Sequence, residues 1–342
     1  MSDPESRVEV PGLTMCAPED FEAARRRVTP HLHRTPLLSF RTLGATTGAE
    51  VWLKCENLQK TGSFKVRGAL NAVASLGASE LSRGVITISA GNHAQAVAWA
   101  ARSSRTRSVV VMPEGAARIK VDATRGYGAE VVLHGNAMEA FAEARRRADD
   151  EGLVFLHPFD APEVIAGHGS TGLEIAEDLV GPATIVVPIG GGGQIAGIAG
   201  ALAATGRLGT GSASWRVFGV EPAGAAAMRR SLDEGAAARL DGVDTIADGL
   251  AAPMAGQLNY RYVADFVEDV VIVSDEEILS AMRLLITRAK LVVEPSGAAA
   301  VAAIMHGRIP VAAGEKVVAV VTGGNVDDRV LVRALREGAS WP

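Results

Sequence analysis

The segment LQKTGSFKVRGAL, residues 58–70, contains a lysine in a setting that suggests chemistry. The chain has only six lysines, and its other basic side chains are arginines. An arginine stays protonated, whereas a lysine can lose its proton and act as an amine, a base or a Schiff-base partner. Lys65, between Phe64 and Val66, is therefore a candidate catalytic residue. The alternative interpretation is a solvated lysine at the start of a helix.

A run of four glycines, Gly190 to Gly193, separates an apolar strand pattern from a small-residue helix pattern. Glycines let backbone N–H groups approach an anion closely, and the following helix adds its positive dipole end. The run predicts a phosphate-binding loop, with a tight turn as the alternative. The pattern Gly191-x-Gly193-x-x-Ala196, with Glu221 closing the next strand, also satisfies a dinucleotide fingerprint. A nicotinamide-dependent oxidoreductase therefore stays open here, whereas a P-loop is excluded because no Gly-Lys-Ser/Thr follows.

Three further polar turns follow apolar runs. The segment ISAGNH places Ser89, Gly91, Asn92 and His93 at the start of a predicted helix, where backbone and side-chain donors suit a carboxylate. The alternative is an ordinary helix N-cap, a position that Ser and Asn favour. The segments VVEPSGAAAVAA and VVTGGNVDDR are the other two turns.

Five motifs occur in one order along the chain: TGSFKVRGA, SAGNH, GGGG, VEPSGA and TGGNVD. Together they resemble the fold-type II family of pyridoxal-phosphate enzymes, the threonine dehydratase and serine racemase group. The resemblance covers about residues 18 to 335. A dinucleotide enzyme would leave the lysine and the SAGNH segment unexplained. The resemblance implies a tryptophan synthase β-like α/β fold, with two lobes, parallel-rich sheets and the cofactor in the cleft between the lobes.

The resemblance also implies pyridoxal 5'-phosphate as the cofactor and gives each motif a role. Lys65 would bond to the cofactor aldehyde and serve as the general base, and Phe64 would lie beside the cofactor ring. Gly190 to Gly193 would hold the phosphate, and Asn92 would bond the ring hydroxyl. Thr322 would place a neutral hydroxyl against the pyridine nitrogen, which makes the ring a weaker electron sink than an aspartate would.

The implied activity is a β-elimination. Ser89, Gly91 and His93 would receive the carboxylate of a 3-hydroxy L-amino acid, by default L-threonine or L-serine, which becomes a 2-oxo acid and ammonia. Racemizing relatives carry a serine before the Gly-Asn-His, but this chain has Ala90, so elimination is favoured. The alternatives are a dehydratase of hydroxyaspartate, phenylserine or a hydroxyectoine breakdown product, a serine or other amino-acid racemase, and a non-catalytic relative that binds the cofactor.

The sequence departs from the family at several positions. Metal-dependent relatives place a Glu at the end of the strand equivalent to 216–221 and an acid six residues later. Here Glu221 is present but Ala227 replaces the acid, so no metal is expected and Glu221 is a weak candidate. His168, Ser170 and Gln194 also differ, which predicts either neutral drift or a bulkier or more polar substrate than threonine.

The elements that must position these residues follow an α/β pattern. Short apolar runs alternate with amphipathic segments, which indicates parallel sheets covered on both faces. The strand candidates are 51–53, 85–89, 108–112, 129–134, 154–158, 184–189, 216–221, 269–274 and 316–322. The predicted organisation is an arm over 1–17, a large cofactor-binding domain over 18–78 and 159–342, and a small domain over 79–158.

Composition excludes several classes of partner. The chain has 342 residues, 48% of them hydrophobic, and a net charge of −5 without a long basic run, which argues against nucleic acid. The uncharged run 185–204 has membrane-spanning length, but Pro188 and the four glycines interrupt it. Cys16 and Cys55 lack metal or redox spacing, and the polar start lacks a signal-peptide core. We therefore expect a cytoplasmic enzyme that acts on a small molecule, with no membrane partner, and the family leads us to expect a homodimer.

Overall fold

Two separate β-sheets organise the fold in the computed structural model, which describes residues 14–209 and 214–340. Most of the predicted N-terminal arm, residues 1–13, lies outside the described residues. Ten strands occur in the described part: β1 (Leu37–Ser39), β2 (Glu50–Cys55), β3 (Val85–Ile88), β4 (Ser108–Met112), β5 (Glu130–Leu133), β6 (Val154–Phe155), β7 (Thr184–Pro188), β8 (Arg216–Pro222), β9 (Asp269–Val273) and β10 (Lys316–Val321).

Fourteen α-helices, counted over the same described ranges, cover the sheets. They are α1 (Pro18–Val28), α2 (Arg41–Thr47), α3 (Lys65–Ala74), α4 (Ala78–Arg83), α5 (Asn92–Ser103), α6 (Arg118–Gly126), α7 (Ala137–Glu151), α8 (Pro162–Asp178), α9 (Gly193–Ala204), α10 (Ala227–Glu234), α11 (Gln257–Phe266), α12 (Asp275–Leu284), α13 (Pro295–Met305) and α14 (Asp328–Glu337). One π-helical turn, Leu285–Ala289, extends α12.

The sheets are largely parallel, as the apolar strand pattern predicts. The larger one has the order β1-β2-β10-β7-β8-β9, and only β1 runs antiparallel to its neighbour. The smaller one, β5-β4-β3-β6, is parallel throughout. Every residue of β4 and β7 is buried, because helices cover both faces of each sheet. The α/β fold with parallel-rich sheets is confirmed.

The smaller sheet draws all its strands from the segment predicted to form the small domain, residues 79–158. The larger sheet uses strands that precede and follow that segment. The domain boundaries at 78/79 and 158/159 stay a prediction.

Close packing of α8 against α9 fixes the start of α9 relative to the sheet. A Cβ at Gly197 would lie 2.5 Å from the Ile165 carbonyl oxygen, and one at Gly172 would lie 3.0 Å from that of Ile198. Small residues at these positions let the two helix backbones approach each other. The uncharged run 185–204 thus forms β7, a loop and a buried helix. No helix within 14–209 or 214–340 has the length and apolar character needed to cross a membrane.

Candidate active site

A cavity of about 310 Å³ lies where strands of both sheets end. Its wall includes Ile88 at the end of β3, Pro188 at the end of β7 and Thr322 directly after β10. The predicted site residues that line it are Phe64, Lys65, Ser89, Gly91, Asn92, His93, Gly190, Gly191, Gly192, Gly193 and Thr322. The sequence motifs, which are far apart along the chain, therefore meet in one place.

Lys65 is the first residue of α3 and is tied to the end of β10. The Phe64 N–H donates to the Thr322 carbonyl oxygen at 3.0 Å. The Lys65 Nζ donates to the Pro158 carbonyl oxygen at 3.2 Å and lies 5.1 Å from the centroid of the Phe64 ring. Burial lowers the pKa of Lys65 to about 8, because the ammonium loses hydration, and nearby Glu294 opposes the shift. The amine is thus more readily available for bonding or proton transfer than that of an exposed lysine.

The glycine loop has no room for side chains. A Cβ at Gly191 would lie 2.5 Å from the Phe159 ring, and one at Gly193 would lie 2.7 Å from the Phe159 carbonyl oxygen. Gly192 has a φ of +96°, in the left-handed region that favours glycine. The N–H groups of Gly190 to Gly193 have no backbone acceptor among the described residues, and α9 begins at Gly193. Free N–H groups at a helix N-terminus suit a phosphate.

Two polar side chains complete the donors for a cofactor ring. Thr322 is 3% exposed and lines the cavity with its neutral hydroxyl. Asn92, the first residue of α5, donates from Nδ2 to Glu294 Oε1 at 2.7 Å. A lysine amine, a phosphate cradle, an amide and a neutral hydroxyl can each hold one part of pyridoxal phosphate, so the residues present fit this cofactor.

The start of α5 offers backbone donors for a carboxylate. The Gly91 N–H donates to Ser89 Oγ at 3.1 Å, and no side chain caps α5. The first N–H groups of a helix have no acceptor within the helix, so those of Asn92 and His93 can receive an anion. The predicted carboxylate site therefore has suitable donors, although the assignment itself stays a prediction.

The imidazole of His93 has a fixed tautomer. Its Nε2 lies 3.1 Å from Thr87 Oγ1, and the Thr87 hydroxyl donates its single proton to the Leu156 carbonyl oxygen at 2.7 Å. The hydroxyl must therefore accept from Nε2–H, which leaves Nδ1 with a lone pair and no partner among the described residues. Burial, with Lys65 and His157 close by, holds the pKa of His93 well below its usual value. The free ring nitrogen is an acceptor, so the carboxylate role predicted for His93 would fall to its backbone N–H, and that role stays a prediction.

Glu221 lies outside this cavity wall. Its carboxylate accepts from the backbone N–H groups of Met228 and Arg229, both at 2.8 Å, in the first turn of α10. Within the described ranges, no group of three or more His, Cys, Asp or Glu side chains is arranged to hold a metal ion. Glu221 therefore links β8 to α10, and its weak candidacy as a metal ligand stays a prediction.

The positions that differ from the family pattern divide into two groups. His168 packs against the Phe64 ring with centroids 4.8 Å apart, and Ser170 accepts from Arg67 at 3.1 Å. Neither side chain lines the cavity. Gln194 does line the cavity, and neither polar atom of its amide has a partner in the described part of the chain. The prediction of an altered substrate stays a prediction, and of the three positions Gln194 is the one in the cavity wall.

Sequence reasoning missed three charged residues of the cavity wall. Lys120 and Asp248 form an ion pair that joins α6 to the short turn Asp248–Leu250. Glu294 is almost fully buried, and burial raises its pKa to about 8, assisted by the negative charge of Asp248. A signal existed for Glu294, since it is the one charged residue between an apolar run and α13 in VVEPSG.

The chain is similar to known proteins over most of its length. The sequence profile of the family described as "Pyridoxal-phosphate dependent enzyme" matches residues 28–323. An L-threonine ammonia-lyase of Thermotoga maritima is 43% identical over 321 residues, which cover 94% of this chain and 78% of that protein.

Solved structures agree with this chain in fold. Maize serine racemase superposes with a TM-score of 0.88 at 35% identity, covering 94% of this chain and 97% of that one. The processed form of threonine deaminase isoform 2 from Solanum lycopersicum superposes with a TM-score of 0.86 at 32% identity, covering 98% of this chain and 98% of that one. The similar proteins thus include both lyases and a racemase.

Proposed function

This chain belongs to the pyridoxal-phosphate dependent enzyme family, and on that premise we propose that it is an ammonia-lyase. Its substrate would be a 3-hydroxy L-amino acid, by default L-threonine or L-serine, and its products a 2-oxo acid and ammonia. One observation carries the proposal. A buried lysine with a pKa near 8 shares a cavity with a free helix N-terminus that suits a carboxylate.

The roles of the residues follow from their chemistry. When bound, pyridoxal phosphate supplies an aldehyde that bonds amines and a ring that withdraws electron density from the bonds to the substrate Cα. Lys65 would bond the aldehyde in the resting enzyme and, once released, remove the proton from the substrate Cα. The N–H groups at the start of α5 would hold the carboxylate, and those of Gly190 to Gly193 the phosphate.

Position 90 favours elimination over racemization. Ala90 lines the cavity beside Ser89 and Gly91, and its methyl group has no proton to donate. Racemization requires an acid that returns a proton to the Cα from the side opposite Lys65. Loss of the β-hydroxyl as water needs a proton on the leaving oxygen but none returned to the Cα from the side opposite Lys65, so it does not depend on position 90 and is the favoured outcome.

A racemase is the second candidate, because serine racemase of maize shares the fold at 35% identity. The experiment that separates the two is an assay of the purified holoenzyme with a panel of 3-hydroxy amino acids. The panel contains L-threonine, L-serine, 3-hydroxyaspartate and phenylserine, and the assay measures 2-oxo acid and D-amino acid together. We expect 2-oxo acid from at least one substrate with little D-product. A D-product that forms as fast as 2-oxo acid, or no turnover of any substrate, would contradict the proposal.

We further propose that the enzyme is a cytoplasmic homodimer and that its domains divide at 78/79 and 158/159. The family resemblance supports the dimer, and the division of the strands between two sheets supports the boundaries. Light scattering after size exclusion tests the dimer, for which we expect about twice the mass of the 35.4 kDa chain.

A further inference from the structure

We propose that Asn325 is a positioning residue, which sets the orientation of the Asn92 amide and thereby directs an N–H of Asn92 toward the cofactor. Asn325 lies in the TGGN turn after β10 and does not line the cavity. Its side chain connects the turn before α3 to the first residue of α5, so it acts on the cavity through Asn92.

The orientation follows from a backbone carbonyl. The Thr61 carbonyl oxygen can only accept, and it lies 2.7 Å from Asn325 Nδ2. The nitrogen of Asn325 is thereby identified, and its second hydrogen is donated to Asn92 Oδ1 at 2.8 Å. The oxygen of Asn92 is thus occupied, and its nitrogen must face the other way, where it donates to Glu294 Oε1 at 2.7 Å. An amide nitrogen carries two hydrogens, so one N–H of Asn92 is left for a ligand.

The backbone around Thr61 is shaped for this contact. Thr61 has a φ of 61°, which is unfavourable for a β-branched residue, and Gly62 follows with a φ of 74°. A Cβ at Gly62 would collide with Asn325 Oδ1, and the Gly324 N–H donates to the Gly62 carbonyl oxygen at 2.9 Å. An unfavourable conformation persists where the surrounding contacts over-determine it. The turn is therefore held in the one shape that aims the Thr61 carbonyl at Asn325.

The orientation of the Asn92 amide decides whether it attracts or repels the ring oxygen of the cofactor. An Asn92 amide turned the other way would present its carbonyl oxygen to the ring oxygen of pyridoxal phosphate, and two acceptors repel each other. Asn325 prevents this reversal because its Nδ2 donates to Asn92, so the Asn92 oxygen must face Asn325. The inference rests on the cofactor and not on the substrate, so its failure would leave the ammonia-lyase proposal intact.

The test uses Asn325→Asp, which has the same shape but no hydrogens to donate to Thr61 or Asn92. The matched control is Asn57→Asp, an equal change at a buried amide that donates to the Val292 carbonyl oxygen at 3.1 Å and packs beside Gly324. Both changes are also made in an Asn92→Ala background. The readouts are the Kd of the apoenzyme for pyridoxal phosphate, the ratio of the two absorption bands of the bound cofactor and the melting temperature of the apoenzyme.

We expect Asn325→Asp to raise the Kd about tenfold and to change the band ratio, since one hydrogen bond to the ring is lost. Asn57→Asp should change neither, and Asn325→Asp should add nothing in the Asn92→Ala background because its effect passes through Asn92. A tenfold loss that persists in that background, or an unchanged Kd and band ratio in the single variant, would overturn the proposal. If the Asp variant does not fold, Asn325→Ala, which removes both donors and adds no charge, is judged by the same two criteria.

Discussion

At the residue scale, burial decides the charge of the groups around the cavity. Burial lowers the pKa of Lys65 to about 8 and raises that of Glu294 to about 8, so both shifts favour the neutral form. Burial thus favours the protonated form of the Glu294 carboxyl, which accepts from Asn92.

We predict that Glu294→Gln alters the pH dependence of stability in the apoenzyme. The folded protein holds the Glu294 proton up to about pH 8, whereas an unfolded carboxyl loses it near 4.5. The contribution of the wild-type residue is thus complete below pH 4.5 and falls by about 1.4 kcal/mol for each pH unit up to 8. The glutamine does not titrate, so its stability relative to wild type should rise between pH 5 and pH 8. Urea unfolding at both pH values checks this, and an equal difference at both would contradict it.

We predict that Ala90→Ser raises racemization. The new hydroxyl provides an acid beside Gly91, and a positioned acid contributes about 10²- to 10⁴-fold to proton transfer. The measurement is D-serine and pyruvate formed from L-serine by both proteins, with Ser89→Ala in the wild-type background as a control for changes in the carboxylate loop. A D-serine to pyruvate ratio unchanged by Ala90→Ser would show that position 90 does not face the reacting carbon.

We predict that His93 recognises the substrate hydroxyl as an acceptor. Its Nδ1 carries a lone pair, and a β-hydroxyl is the donor that a 3-hydroxy amino acid brings. His93→Phe should therefore reduce kcat/KM for L-threonine about tenfold more than kcat/KM for β-chloro-L-alanine, which has no hydroxyl. An equal loss with both substrates would indicate that the imidazole serves the carboxylate or the fold instead.

At the element scale, a buried ion network holds the helix that carries Lys65. Arg67 of α3 donates to both oxygens of Glu56 at 2.7 and 2.8 Å and to both oxygens of Glu174 at 2.7 and 2.9 Å. Lys54 of β2 adds a second cation to Glu174 at 2.6 Å. The two positive charges equal the two negative charges of the carboxylates, and the network connects α3 to β2 and α8.

We predict that Arg67→Met destabilises the protein by about 3–5 kcal/mol, because it leaves two buried carboxylates with one cation. The control is Arg146→Met, which removes an exposed guanidinium from Glu143 and Asp150 and should destabilise the protein far less, because water screens exposed charge pairs. Denaturant unfolding of the two variants gives the comparison. Similar losses for both would mean that the buried network adds nothing beyond surface charge pairing.

The elements themselves were largely predictable from local pattern. The strand predicted over 108–112 has those bounds in the structure, because a continuous apolar run carries its own signal. The strand predicted over 154–158 ends at Phe155 instead, since His157 Nδ1 accepts from the Phe159 and Asp160 N–H groups and turns the chain. The strand β1 was missed because its three residues pair antiparallel at a sheet edge and have no distinctive pattern.

Site residues that lie in local motifs could be predicted from the sequence. Site residues that act through contacts distant in sequence could not. Lys65, the glycine loop and the SAGNH segment lie in recognisable local patterns, and all of them line the cavity. Asn325 and Glu294 act on Asn92 across 233 and 202 residues of sequence. No local pattern reports such a contact, and the tautomer of His93 likewise depends on Thr87 and Leu156 in neighbouring strands.

At the scale of the whole molecule, the cavity lies where strands of both sheets end. Ligands in parallel α/β sheets lie beyond the carboxyl ends of strands, and here β3 of the smaller sheet and β7 of the larger one both end there. The Lys120–Asp248 pair joins α6 to a turn of the other wall across the same cavity. The fold therefore brings residues from Lys65 to Thr322 around one ligand-sized space.

Borohydride reduction followed by peptide mapping tests the central claim most directly. Reduction fixes the pyridoxyl group on whichever lysine bonds the cofactor, and the chain offers six lysines. We predict that the label lies on Lys65 alone, and that Lys65→Ala takes up no label and releases no 2-oxo acid from L-threonine. A label on Lys120 or any other lysine, or a Lys65→Ala protein that still turns over, would contradict the account.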